Sequence, residues 1–446
     1  MEQIQKQRDF FESQGTHDIY WRKARLRELQ QAIKTNESAL YEAFKHDLGK
    51  SQFEAYTTEI AIVYREIKYM LQNLDRLSLA KRVRTPWVLM GKRSEIRKQP
   101  RGNVLIMSPF NYPVQLSLVP LVGAIAAGNT AIVKLSEFTP SINQVLINML
   151  NVTFDDHYIY AMDGDVSVNT KLLDASFDFI FFTGSPHVGK IVMRAASEHL
   201  TPVILELGGK SPAIVLDDAK IKAAAQKIIW GKLINTGQTC VAPDYVLVHE
   251  SRYDDLVEAM KKAIESFYGQ DIKNNRDYGR IVNETHAKRL RLIISDNKEN
   301  IIYGGDSEGR YVAPTLLRDT ILDDEIFGPI LPIQTFKEIH EVKETIAKHP
   351  NPLALYLFTE TEDHPLLNEV RFGGGIVNDT VLHLVNDRLP FGGVRTSGIG
   401  HYHGEHSFDA FSHVQGIMHS TSRSLPVMYP PYTSWYKRLK IIRKVF

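Results

Sequence analysis

From Asn103 the chain reads Asn103-Val104-Leu105-Ile106-Met107, a short apolar run, then turns helical over 113–127 until Gly128-Asn129 breaks the pattern. A strand-like run over 130–133 follows, then helical 141–150, strand-like 158–161, helical 166–173, strand-like 177–182 and helical 188–198. The series ends on Val203-Ile204-Leu205-Glu206-Leu207. Apolar runs of strand length alternating with helical periods predict a parallel sheet wound on both faces. Ligands of such a sheet gather at the carboxyl ends of its strands, so the residues that follow each run come first for inspection.

Outside this stretch the texture differs. Leu26, Leu29 and Ile33 share one helix face and Leu40, Phe44 and Leu48 another, with Gly49 as a stop and Asn36 or Ser38 placed to cap a second helix. Cationic residues dominate 81–101, where Gly91 separates Val88-Leu89-Met90 from Ile96 in the manner of a hairpin. That stretch reads as a solvated arm with charged edges, against the rival of a nucleic-acid patch. A second α/β unit begins near Ser211, with a strand over 213–216, a helix over 221–233 running toward Cys240, a strand over 245–248 and a helix over 256–267. Further strand and helix signals continue to about Asp387, which places Cys240 near the seam between the two units.

Composition narrows the classes. The chain has 446 residues, 43% of them hydrophobic and 24% charged, with a formal net charge of +1. That balance gives no bulk electrostatic case for nucleic acid. One cysteine excludes an internal disulfide and fits a reducing compartment. The first residues, Met1 to Gln7, lack the apolar core of a signal peptide, and the apolar stretch 116–127 is short and holds Pro120. The expectation is a soluble cytoplasmic protein.

Two stretches carry chemistry. Gly237-Gln238-Thr239-Cys240-Val241 holds the lone thiol, and Leu205-Glu206-Leu207-Gly208-Gly209-Lys210 ends a buried strand with one carboxylate and two glycines. A lone cysteine is usually a small buried hydrophobe. Paired with a desolvated carboxylate, it can form a thioester and then hydrolyse it. Gly184-Ser185-Pro186-His187-Val188-Gly189 lies between a strand and a helix start, where helix N–H groups favour an anion, though plain turns share the spacing. Lys134-Leu135-Ser136-Glu137 follows the second strand, where a dinucleotide ribose would lie or where both charges are simply solvated.

Phe110-Asn111-Tyr112-Pro113 closes the first strand; its amide can donate to an oxyanion or satisfy a local turn. Glu325-Ile326-Phe327-Gly328-Pro329 puts a carboxylate and a ring on one side if the segment is extended. The ring could carry a flat heterocycle, or pack as plain core. His401-Tyr402-His403-Gly404-Glu405-His406 has no zinc-type spacing, so no metal is expected. The basic, apolar tail over 435–446 suits a mobile or subunit-docked segment, or weak peripheral contact with a membrane.

In this order and together, these stretches resemble the aldehyde dehydrogenase superfamily, and closely its class 3-like, fatty-aldehyde branch. Phe182-Thr183-Gly184-Ser185 and Lys210-Ser211-Pro212 belong to the match, and the branch signature lies in Cys240-Val241-Ala242-Pro243-Asp244-Tyr245, Leu389-Pro390-Phe391-Gly392-Gly393 and Tyr402-His403-Gly404-Glu405-His406-Ser407-Phe408. The resemblance implies an α/β fold of two doubly wound domains plus a small β oligomerisation arm. Residues 1–78 and 101–207 would bind nucleotide, 208–387 would be catalytic, and 79–100 with 388–446 would form the arm and tail. It further implies Cys240 as nucleophile, Glu206 as general base and Asn111 as oxyanion donor together with the Cys240 backbone N–H. Lys134 and Glu137 would address the adenine ribose, and Gly184, Ser185, Pro186, His187, Val188 and Gly189 would lie beside the pyrophosphate. Glu325 and Phe327 would place the nicotinamide ribose and ring.

The implied reaction is oxidation of a medium- or long-chain aliphatic or aromatic aldehyde to its acid by a homodimer. NAD is the expected cofactor, since Glu137 repels a 2′-phosphate, with NADP as the alternative because Lys134 can compensate. Pro186-His187 and Arg395-Thr396 depart from the usual pattern, and both touch cofactor fit or the pocket rim. Relatives on membranes continue into a hydrophobic anchor; here the chain ends on its basic stretch, so no spanning anchor is expected. Two other readings use the same residues: a cysteine-dependent esterase or thioesterase, which needs no Phe327, and a non-catalytic nucleotide-binding protein, which needs no thiol.

Overall fold

The apolar runs of 103–207 form five parallel strands of a six-stranded sheet in a computed structural model that describes residues 2–89, 91–420, 429–431 and 443. Asn103–Met107 lies at the centre, with Thr130–Lys134 and Ile159–Met162 on one side and Phe179–Gly184 and Val203–Leu207 on the other. All residues of Asn103–Met107 and Thr130–Lys134 are buried, as the run of apolar side chains demands when helices cover both faces. The helix Gln115–Ala127 is buried on every side, the expected fate of a helix that is apolar all round.

Chain order reverses across this sheet. It runs outward from the central strand to Ile159–Met162, then returns to the far side of the centre through Phe179–Gly184. The switch therefore falls between Asn103–Met107 and Phe179–Gly184, and it opens a crevice at their carboxyl ends.

A second sheet of seven strands has the order Ile301–Tyr303, Thr315–Arg318, Ile330–Phe336, Tyr245–His249, Pro212–Val215, Ala354–Phe358 and Gly374–Val377. Its pairings are parallel except at the first, where Ile301–Tyr303 runs antiparallel to Thr315–Arg318. In the arm, Lys81–Val83 pairs with Arg93–Pro100, and Arg93–Pro100 pairs along its whole length with Ser412–His419. Leu89 sits in the 3₁₀ turn Trp87–Leu89 of that hairpin rather than in a strand.

Two details differ from the sequence reading, and a third expectation falls outside the described residues. The first helical segment contains a single helix, Ile19–Leu48, in place of two. Asp18 caps it by accepting from Trp21 N–H at 2.7 Å, Gly49 ends it in the left-handed region, and Asn36 donates back to the Ala32 carbonyl at 2.9 Å. Second, 388–411 is not arm. Gly398–Ile399 adds an antiparallel edge to Val203–Leu207, with Gly398 opposite Glu206, and Glu405–Ala410 packs on the helix Gln115–Ala127. Third, the basic tail over 435–446 lies outside the described residues apart from Arg443. Among the described residues no helix is long and apolar enough to cross a membrane.

Candidate active site

Between the carboxyl edge of the first large sheet and the amino edge of the second lies a cavity of about 250 Å³. The first sheet lends it Asn111, Thr183, Gly184, Ser185 and Glu206; the second unit lends Cys240, His286, Arg289, Glu325 and Phe327. A larger cavity of about 840 Å³ reaches Cys240 on another side, lined by residues such as Ile62, Trp230, Phe267, Val381 and Leu384. Leu116, Cys240, Phe391 and Tyr402 border both cavities. The thiol thus stands on the partition between a small cavity and a larger one.

Glu206 is buried at 3% exposure, and neither carboxylate oxygen has a hydrogen-bond partner among the described residues. Burial alone pushes its pKa well above the carboxylate range. The Cys240 thiol is pushed up to about 12, first by burial and then by the nearby Glu325 and Glu206 carboxylates, while its own and Val241's backbone N–H groups oppose the shift. Burial also lifts Glu325 to about 8, with Asp244 adding and Lys210 and Lys232 opposing. The pair Lys210–Asp244, at 2.6 Å, anchors this segment: Lys210 donates to the Asp324 carbonyl at 3.0 Å and Asp244 accepts from Ile326 N–H at 2.9 Å.

The loop that carries Cys240 is held by its neighbours. Asn235, Thr236 and Gly237 all have positive φ, which reverses the chain tightly after the helix Ile221–Leu233. Tyr112 Oη lies 2.6 Å from Thr239 Oγ1, and Tyr356 Oη donates to the Val241 carbonyl at 2.5 Å. Asn111 spends one amide hydrogen on the Gln238 carbonyl at 3.0 Å, which leaves its other donor uncommitted by that bond.

The structure gathers Cys240, Glu206, Asn111, Gly184, Ser185, Glu325 and Phe327 around one cavity. Phe327 reaches it by a left-handed turn, φ 48°, rather than by the extended geometry that the residue spacing suggested. Lys134 lies at the end of the strand next to Met107, with Glu137 Oε2 3.4 Å from its Nζ, at the same sheet edge but outside the cavity wall. Pro186, His187, Val188 and Gly189 form the first turn of Pro186–Glu198 and do not line the cavity. Pro186 has no N–H and Ser185 Oγ accepts the Val188 N–H at 3.3 Å, so that turn offers an anion fewer donors than its sequence suggests.

Sequence reasoning missed His286 and Arg289 in the wall and quoted Thr183 and Tyr402 only as parts of the family match. Tyr402 is wholly buried with its hydroxyl unpartnered among the described residues. A polar residue beside a known strand end was the available signal for Thr183; nothing local marks the other three.

The residues fit a dinucleotide. Gly208 leaves room beside Glu325, since a Cβ there would come within 1.9 Å of Glu325 Oε2. Thr183 Oγ1 is buried without a partner among the described residues, and Phe110, His286 and Phe327 form an aromatic cluster on the cavity wall. This is the architecture of a two-sheet α/β oxidoreductase that brings thiol chemistry to a dinucleotide-type sheet edge. The chain belongs to the aldehyde dehydrogenase family, which it matches over residues 2–417.

It is 49% identical to 4,4'-diaponeurosporen-aldehyde dehydrogenase of Staphylococcus aureus, over 98% of this chain and 97% of that one. It is also 40% identical to rat aldehyde dehydrogenase family 3 member A2, over 98% and 93% of the two chains. The substrate-bound structure of Staphylococcus aureus AldH superposes with a TM-score of 0.97 at 48% identity, covering 99% of each chain. The chain is an enzyme that oxidises aldehydes, with NAD or NADP as cofactor.

Gly208→Ala forces Glu325 out of its place. The dissociation constant for the dinucleotide should rise about tenfold, about 1.4 kcal/mol, in a fluorescence titration.

Proposed function

We propose that Cys240 is the nucleophile, Glu206 the general base and Asn111 an oxyanion donor in the oxidation of an apolar aldehyde. The observation that carries this reading is the meeting of a thiol, a desolvated carboxylate and a side-chain amide in one cavity of about 250 Å³. The Cys240 sulfur forms a bond to the aldehyde carbon, and the carbonyl oxygen becomes an oxyanion that Asn111 and the Cys240 backbone N–H stabilise. Hydride acceptance, which converts the thiohemiacetal to a thioester, is the chemistry NAD(P) supplies when bound. Glu206 then takes a proton from water as the water oxygen attacks the thioester carbon. The carbon–sulfur bond breaks, the acid leaves and Cys240 is regenerated.

Further parts of the reading follow from position. The unit built on the first sheet binds the dinucleotide, with Lys134 and Glu137 toward the adenine ribose and 184–189 toward the pyrophosphate. Glu325 and Phe327 address the nicotinamide end. The second unit supplies the nucleophile, and the three-stranded sheet pairs two copies into a homodimer, a role favoured by the exposure of Val414 and Met418 on its outer strand. Glu137 disfavours a 2′-phosphate and NAD is preferred. The apolar cavity of about 840 Å³ suits a medium- or long-chain aliphatic or aromatic aldehyde, and the protein works in the cytoplasm.

The central test separates the two half-reactions. Cys240→Ala should abolish the burst of reduced cofactor and steady-state turnover while NAD+ still binds. Glu206→Gln should keep the burst and lower steady-state turnover by about 100-fold or more, with acyl-enzyme visible by mass spectrometry. Rapid deacylation in that variant would remove Glu206 from its role.

Charge sets a second expectation. With the thiol raised to about 12, alkylation of Cys240 by iodoacetamide should climb with pH through the neutral and alkaline range. Placing a cationic nicotinamide ring beside the sulfur favours the thiolate, so NAD+ should shift that profile to lower pH. An unmoved profile would argue against the ring's placement. Specificity is read by kcat/KM: it should favour NAD+ over NADP+ and rise with aliphatic chain length.

A further inference from the structure

Behind Asn111 lies a buried ion pair that the mechanism does not use. Lys50 Nζ stands 2.6 Å from Glu59 Oε1, and both side chains are fully buried. Lys50 follows the helix Ile19–Leu48 and Glu59 sits in the wide turn Tyr56–Ile60, so both come from the helical segment that precedes the sheets. The ammonium also donates to the Asn111 backbone carbonyl at 3.1 Å and faces the Tyr112 ring at 4.2 Å. The second carboxylate oxygen, Glu59 Oε2, accepts from Val114 N–H and Gln115 N–H, each at 3.0 Å, at the start of the helix Gln115–Ala127. One ion pair thereby grips residues 111–115 at both ends.

The Asn111 carbonyl has another donor, Asn235 Nδ2, at 2.8 Å. The same nitrogen reaches the Gln238 carbonyl at 3.1 Å, which also accepts the Asn111 amide at 3.0 Å. The turn that presents Asn111 and the loop that presents Cys240 are therefore tied through a shared set of acceptors, with Lys50 on the outer side.

Packing alone does not account for charge at this place. Apolar groups of similar volume commonly stabilise a core as well as a buried ion pair does, or better. What apolar groups cannot do is donate to the Asn111 carbonyl and accept two backbone N–H groups. With that carbonyl fixed from two sides, the Cα–Cβ bond of Asn111 has little freedom, and a donor displaced by about 1 Å can cost about 100-fold in rate.

We propose that Lys50 and Glu59 are positioning residues, holding the Asn111 backbone so that its free amide hydrogen remains directed at the oxyanion of the Cys240 adduct. This rests on the role of Asn111 proposed above. No bond is made or broken at the pair; it acts only through Asn111.

The test is a double-mutant cycle on the pre-steady-state burst of reduced nicotinamide, using wild type, Lys50→Met, Asn111→Ala and the double variant. NAD+ affinity and iodoacetamide alkylation of Cys240, which forms no oxyanion, are measured in parallel. Lys50→Met should slow the burst about tenfold, leave cofactor affinity and alkylation unchanged, and have no further effect in the Asn111→Ala background. Where Lys50→Met does not fold, Lys50→Met/Glu59→Gln removes both charges while keeping an acceptor for the 114 and 115 N–H groups, and the same pattern is expected. Equal slowing in both backgrounds, or alkylation slowed in step with the burst, overturns the inference. An Asn111→Ala enzyme with a wild-type burst overturns the role of Asn111 itself, and this inference with it.

Discussion

Glu206 occupies a position that most folded chains avoid: a carboxyl group inside a sheet edge with neither oxygen bonded among the described residues. As an anion it would cost several kcal/mol to keep there without a partner, so once ionised it binds a proton more strongly than a solvated carboxylate does. The strand Val203–Leu207 tolerates this because it is fixed on both sides. Thr183 lies opposite Glu206 on the parallel neighbour, and Gly398 lies opposite it on the antiparallel edge. That second contact needs glycine, since a Cβ at 398 would fall 2.6 Å from the Leu205 carbonyl and φ there is +155°. A segment nearly two hundred residues downstream in sequence thus helps to hold Glu206 in place.

The thiol is held by different means. Cys240 sits on a loop whose entry, Asn235 and Thr236, takes left-handed backbone angles that non-glycine residues rarely adopt. Each such residue costs about 1–3 kcal/mol, and the hydrogen bonds around it offset that cost: Asn235 N–H to Glu54, Asn235 Nδ2 to two carbonyls, and Gln238 to Asn235, Arg280 and Val282. The two reactive groups come from different sheets, and the relative placement of the sheets sets their separation. Ties that cross the seam, such as Tyr112 to Thr239 and Asn111 to Gln238, therefore bear directly on the chemistry.

Much of this was legible in the residues. The strand runs of 103–207 and 213–248 have uniform apolar composition and sharp glycine or asparagine ends, so periodicity located them to within a few residues. Glu206 and Asn111 stood out because a polar residue interrupts or follows a buried strand, and Cys240 because it is the one cysteine of the chain. The failures have physical causes. In Ile19–Leu48 one buried face runs unbroken from Arg22 through Ile33 and Leu40 to Leu48, and the polar stretch around Asn36 imitates a break and a cap. Phe327 turns left-handed, which no residue type there announces. Nothing local marks Lys50 and Glu59, because each acquires these partners only when the chain from 111 to 115 lies against them.

The two cavities divide the enzyme's work. Ionisable groups near the thiol (Glu206, Glu325, Arg289 and His286) belong to the small one, and the large one is walled mainly by apolar and aromatic side chains. An apolar chain entering the large cavity gains about 0.8 kcal/mol for each methylene it buries, and that gain accrues away from the reacting carbon. Binding energy of this kind can hold the carbonyl against the sulfur without touching the groups that carry charge. The residues Leu116, Phe391 and Tyr402 line both spaces beside Cys240. Residues such as Val381, Leu384 or Trp230 can therefore change the large cavity while Cys240, Glu206 and Asn111 stay as they are.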